Sequence, residues 1–217
     1  MKNIVVLISA NAEWRAIKEI LSGQPLQFVS TPVGETFTQQ RSGFKLVFLH
    51  GGWGKISAAA TAQYAIDHFH PDLLVNLGTC GGLDGRAAAG DILLVERTLV
   101  YDIIEQMGDP QAALEHYSAQ LDLSWLAALV LPADVRRGLL VSADRDILRE
   151  DVNMLIERFD ASAADWESGA IAWVASRNAV RCLILRGVTD IVSATGGEAY
   201  GNIDLFHQRT LQIMRRL

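Results

Sequence analysis

"DLLVNLGTCGGLDG", residues 72–85, decides the fold. Its first half is apolar at nearly every position instead of alternating with polar residues, which describes a strand covered on both faces. Its second half turns abruptly to glycine and small residues, the composition of a loop at a strand end. Working outward, strand-length apolar runs recur in "NIVVLISA" (3–10), "FKLVFLH" (44–50), "DILLVERTLV" (91–100), "RGLLVSA" (137–143) and "RCLILRGV" (181–188). Between them helices are expected over 11–22, 55–69, 119–130, 149–158, 166–178 and 203–216, with Asp151 and Asp204 as capping or first-turn acids. Strands alternating with helices, and covered on both sides, predict an α/β fold. The expected architecture is a single-domain three-layer α/β/α sandwich over residues 1–217, around one mixed, mainly parallel sheet. No linker, low-complexity tract or internal repeat divides the chain.

Composition narrows the function. Half of the 217 residues are hydrophobic, enough for one sizeable core. A net charge of −6 gives no electrostatic footprint for nucleic acid, and no basic cluster suits an anionic membrane surface. No apolar run approaches the roughly 20 residues that span a bilayer. "MKNIVVLISANAEW" reads as a first strand, not a signal peptide. Cys80 and Cys182 each lie in an apolar or glycine-rich run and read as buried free thiols, so a reducing, cytoplasmic setting is expected.

In a parallel sheet, ligands gather beyond the carboxyl ends of the strands. Here those ends are "SANAEW" (9–14), "HGGWGK" (50–55), "GTCGGLDG" (78–85), "SADRD" (142–146), "DWES" (165–168) and "GVTD" (187–190). Familiar motifs fail. The first strand–helix turn reads "ISANAEW" and lacks G-x-G-x-x-G; "GGWGKIS" misses the P-loop spacing and has Ile56 where a hydroxyl belongs. The five histidines show no metal spacing, no G-x-S-x-G is present, and neither a metal nor a cofactor is expected. What remains is a set of acids: Glu13, Asp144, Asp146, Asp165, Glu167 and Asp190. Carboxylates gathered in a cleft stabilise developing positive charge and exchange protons, as cleavage of a glycosidic bond requires. Taken singly, each acid reads more simply as a helix cap or a solvated loop residue.

The run from "HGGWGKISAAATAQYAIDHFHPDLLVNLGTCGGLDGRAAAGDILL" through "DWESGAIAWVA" to "LRGVTD" resembles the nucleoside phosphorylase/nucleosidase superfamily. It is most similar to the 5′-methylthioadenosine/S-adenosylhomocysteine nucleosidase branch. The resemblance implies the sandwich fold, a homodimer, no cofactor and a small nucleoside substrate. It implies that Asp190 is the general acid that protonates the purine, and that Glu167 grips the ribose hydroxyls. Glu13 would position the attacking water and Arg186 would help to hold it. Thr79 and Gly81 of "NLGTCGG" would line the pocket, Trp166 would lie against the sugar, and backbone groups of Ile147 would meet the base edge. Asp146 stands where relatives carry an aromatic residue; it either accepts a hydrogen bond from the base or points outward, leaving Trp53 or Trp166 to stack. Ile203 falls where a phenylalanine often covers the 5′ side, and Asp165 is expected to face solvent or cap the helix. The loop 101–118 bears little likeness to the family's.

Hydrolysis is favoured over phosphorolysis. The phosphorylase branch places an arginine two residues before the glycine of its G-[ST]-x-G loop, where this chain has Asn76. Glu13 would repel phosphate, with Arg15 and Arg41 the candidates to hold it. The expected activity is a purine nucleosidase that releases adenine. A phosphorylase, or a non-catalytic nucleoside-binding protein of the same fold, are the alternatives.

Overall fold

The computed structural model describes residues 2–132 and 134–217. β1 (Lys2–Ile8) leads into α1 (Asn11–Ile20), and the ribbon β2 (Val29–Thr31), β3 (Gly34–Arg41), β4 (Phe44–His50) leads to α2 (Lys55–Phe69). β5 (Leu73–Leu83) and β6 (Ile92–Val100) follow, then α3 (Pro110–His116), β7 (Ser118–Gln120), a 3-10 turn (Ser124–Leu126) and β8 (Val135–Ser142). The C-terminal part is α4 (Val152–Phe159), β9 (Ala161–Asp165), α5 (Ser168–Arg177), β10 (Cys182–Ser193), β11 (Gly196–Gly197) and α6 (Ile203–Met214).

Two parallel runs make the sheet, β4–β1–β5–β10 and β6–β8–β9. Antiparallel pairing of β10 with β6 and of β9 with β5 joins them, so that β5, β10, β6, β8 and β9 form a closed ring. The unalternating sequence of β1 now has its cause. Val5 and Leu7 pack in one cluster with Ala58, Ala62 and Ala65 of α2, while Val6 and Ile8 join Trp14 and Ile17 of α1 and Met214 of α6 on the opposite face. Alanines on α2 let that helix lie close against the sheet. Gly187 does the same for α6, because a Cβ there would come within 2.8 Å of Ile213 Cδ1.

Several elements differ from expectation. The helix expected over 119–130 is absent: Ser118–Gln120 pairs with β6 as a strand, and only Ser124–Leu126 makes a helical turn. Its leucines at 121, 123 and 126 are buried in the main core cluster, so tertiary burial and not a helical stripe explains their spacing. The stretch 101–118 holds α3, opened by Asp109, whose carboxylate accepts the Gln111 and Ala112 amides, and by Pro110 at the first helical position. β9 also escapes the sequence, since Ala-Ser-Ala-Ala-Asp has little intrinsic preference for a strand. Its partners β8 and β5 impose it. The closed ring now brings the carboxyl ends of β5, β8, β9 and β10 to one cleft.

Candidate active site

The cleft has a volume of about 700 Å³ and opens where β5, β9 and β10 end. Glu13, Trp53, Thr79, Gly81, Asp146, Ile147, Trp166, Glu167 and Asp190 all line it. Arg186, predicted beside them, lies behind the wall with no exposed surface.

Glu13 sits one turn into α1 and is 2% exposed. Its Oε1 accepts the Thr79 amide at 2.6 Å and the Thr79 hydroxyl at 2.9 Å, while Oε2 accepts the Ala10 amide at 3.1 Å. One carboxylate therefore caps its own helix and ties it to the end of β5, so the capping and functional readings hold together. Oε2, with one protein donor, keeps acceptor capacity toward the cleft.

Arg186 projects from β10 into the space beside Gly78; a Cβ on Gly78 would come within 2.6 Å of Glu13 Oε1 and would also collide with the guanidinium. Its Nε donates to Ser168 Oγ and its Nη2 to Asn76 Oδ1, both at 2.9 Å. Asp165 lies 2.9 Å, Glu13 3.5 Å and Glu167 3.6 Å from its nitrogens. Burial alone would lower the Arg186 pKa, but the carboxylates of Asp165, Glu13 and Glu167 outweigh it and raise the value. Fully enclosed, Arg186 meets the cleft-lining residues Glu13 and Thr79 from behind, the latter at its carbonyl.

Asp165 does not face solvent. It is buried, accepts the Ser142 hydroxyl at 2.6 Å, and caps α5 through the Ser168 amide at 3.1 Å. Of the two readings for this acid, the cap is the one that holds. Glu167 follows it, with Oε1 accepting the Gly54 amide at 3.0 Å. Gly54 has φ of +88°, a left-handed value that favours glycine, and this aims its N–H across the cleft. Burial, reinforced by Asp165, pushes the Glu167 carboxyl up to about 8 against the opposing charge of Arg186.

Asp190 is delivered by a bulge. β10 and β5 pair regularly up to Val188, skip Thr189, and resume at Asp190, so the acid is re-aimed relative to the strand before it. Oδ1 accepts the Thr189 hydroxyl at 2.9 Å, whereas the buried Oδ2 has no protein partner. Burial raises its pKa, opposed by the Thr189 hydrogen bond, the Ala199 amide and Arg209. Beside it Gly81 brings its backbone against Ile147 and Val192, where a Cβ would lie 3.0 and 3.5 Å from their side chains, leaving an apolar slot. Trp53 and Trp166 meet edge to face at 5.2 Å next to Gly54 and Glu167.

Ile203 is at the cleft as expected, but Phe206, one turn along α6, lines it too. Helical periodicity from Ile203 was a signal for it. Tyr200, whose hydroxyl donates to the Ile147 carbonyl at 3.0 Å, had no such signal. Asp146 is exposed on the cleft rim. Neither arginine weighed for phosphate lines the cleft: Arg15 contacts His207, and Arg41 pairs with Phe44 at the start of β4, opposite the end that reaches the cleft.

An α/β sheet closed into a ring, with buried acids where its strands end, defines a class. A family model described as the phosphorylase superfamily matches residues 4–217, and the chain belongs to that superfamily. It is 28% identical over 168 residues to a 5′-methylthioadenosine/S-adenosylhomocysteine nucleosidase of Listeria welshimeri, covering 70% of this chain and 71% of that one. In fold it is similar to the Arabidopsis thaliana 5′-methylthioadenosine nucleosidase, with TM-score 0.80, 22% identity and coverage of 99% and 92%. It is also similar to the futalosine hydrolase of Helicobacter pylori, with TM-score 0.79, 18% identity and coverage of 99% and 96%.

Proposed function

We propose that the protein is a purine nucleosidase that hydrolyses the N-glycosidic bond of nucleosides of the 5′-methylthioadenosine/S-adenosylhomocysteine type and releases adenine. The observation that carries this is Asp190: a buried carboxyl of raised pKa whose Oδ2 is free of protein partners on the wall of the cleft. A raised pKa favours the protonated carboxyl, which gives its proton to a purine nitrogen and makes the base a better leaving group. In its ionised form, which a pKa of about 8 leaves the minor one at neutral pH, Glu167 accepts from the ribose hydroxyls, and its negative charge then favours an oxocarbenium-like transition state over the neutral substrate. Glu13 Oε2 orients the attacking water, with Thr79 and Arg186 fixing the carboxylate. The slot at Gly81, Ile147 and Val192, next to Asp190, suits the flat base.

Water is the nucleophile in this reading. The only cation against Glu13, among the described residues, is Arg186, and it is surrounded by three carboxylates and sealed from the cleft. Phosphate would meet net negative charge there. The reading includes a homodimer in the cytoplasm; the free, buried Cys80 and Cys182 fit a reducing setting, and size-exclusion chromatography with light scattering checks the dimer.

The deciding assay follows base release from 5′-methylthioadenosine, S-adenosylhomocysteine and futalosine, with and without phosphate. Adenine from either of the first two without phosphate is the expected result. Strict dependence on phosphate, or turnover of futalosine alone, would replace it.

A further inference from the structure

A second hollow, of about 590 Å³, shares no lining residue with the cleft. It lies over β6, β8 and β9, between the loop after β5 and the end of α4. Two bulges meet at it. The β6–β8 register skips Glu96, and the β8–β9 register skips Ser162; both skipped residues line the hollow. Neighbouring side chains of a regular strand point to opposite faces, yet here Glu96 and Arg97 reach the same space. Between the bulges Gly138 leaves its backbone open toward Ser162, whose side chain would collide with any Cβ there. Bulges conserve such re-aimed side chains at a loss of ladder pairing, and they concentrate beside functional sites.

The charge there runs against the rest of the molecule. On a chain of net charge −6, three arginines, Arg86, Arg97 and Arg137, face two acids, Glu96 and Asp160. Arg137 contacts Glu96 at 3.0 Å and Arg86 contacts Asp160, but all four side chains are at least one third exposed, where such pairs contribute little and exchange readily. The Arg97 side chain has neither an ion pair nor a hydrogen bond among the described residues. We propose that this hollow is a binding site for a tetrahedral oxyanion of the phosphate type, held by Arg97 and Arg137 with Arg86 closing on it. Guanidinium forks match phosphate oxygens two at a time, and the Ser162 hydroxyl adds a neutral donor.

The test measures thermal stability of the intact protein against inorganic phosphate at constant ionic strength, with sodium chloride as the control. A parallel arm uses adenosine 5′-monophosphate. A saturable rise in Tm with phosphate beyond the chloride control is expected, because a ligand that binds only the folded state stabilises it. Arg97→Gln and Arg137→Ala should each weaken the apparent affinity at least tenfold and leave nucleoside turnover unchanged. Equal affinity for the two ligands identifies a free ion; tighter binding of the monophosphate identifies a nucleotide. No saturable shift, or one that survives both arginine variants, overturns the site. A shift whose apparent affinity rises in Glu167→Gln, where a repelling carboxylate has been removed, would put the ion in the cleft and overturn it equally. Base release is assayed separately, so the site and the nucleosidase reading stand or fall apart.

Discussion

Asp190 and Glu167 are both acids raised by burial, and the proposed reaction asks opposite protonation states of them. Asp190→Asn should lower kcat about a hundredfold or more, in line with typical general-acid contributions, while calorimetry with a non-hydrolysed analogue shows binding largely retained. Because Asp190 must carry its proton, kcat/KM should fall as pH rises through its raised pKa, and the asparagine variant should lose that limb of the profile. Glu167 adds a stability signature. Its folded-state pKa of about 8 lies above the ordinary 4.5, so in that window the folded chain binds more protons than the unfolded one. Stability attributable to this group is thus complete below about pH 4.5 and is lost as pH rises toward 8. Glu167→Gln should flatten the decline of Tm between pH 5 and 8. These residues were legible from residue type and motif order. Their pKa directions were not, because desolvation depends on which chains cover the carboxyl group.

Among the elements, α5 and β10 are organised from one buried ion pair. Asp165 caps α5 and binds Arg186 of β10, and so sets where Glu167 begins. Asp165→Ala strands the guanidinium without its nearest carboxylate and should cost about 3–5 kcal/mol, read by denaturant unfolding. Gly78→Ala places a methyl where Arg186 and Glu13 already lie. Overpacking of this kind costs about 1–3 kcal/mol, and the shifted Glu13 should cut kcat more than it changes KM. The sequence marked Asp165 as a possible cap from its position before an apolar helix. Nothing local disclosed Arg186 as its partner, since the two are far apart in the chain and "RGVTD" reads as ordinary strand. The false helix at 119–130 has the same origin: leucine spacing reports burial, and burial by a curved sheet imitates burial of a helix stripe.

Across the whole molecule, the closed ring and the sheet that extends from it put anionic groups at one rim and leave Arg41 at the other. The proposed use of water rests on that placement, as does the prediction that phosphate leaves the rate of base release unchanged even if it binds the second hollow. By itself the sequence determined the α/β class, the strands buried on both faces and the acids at strand ends, because these depend on apolar periodicity and local turn chemistry. Only the tertiary structure decided that β9 is a strand, that Thr189 bulges to aim Asp190, that Arg186 is sealed behind Glu13, and that arginines gather over β8. Each of these arises from contacts between distant segments, where one backbone lends another its hydrogen bonds or excludes its water, and no short stretch of residues carries that information.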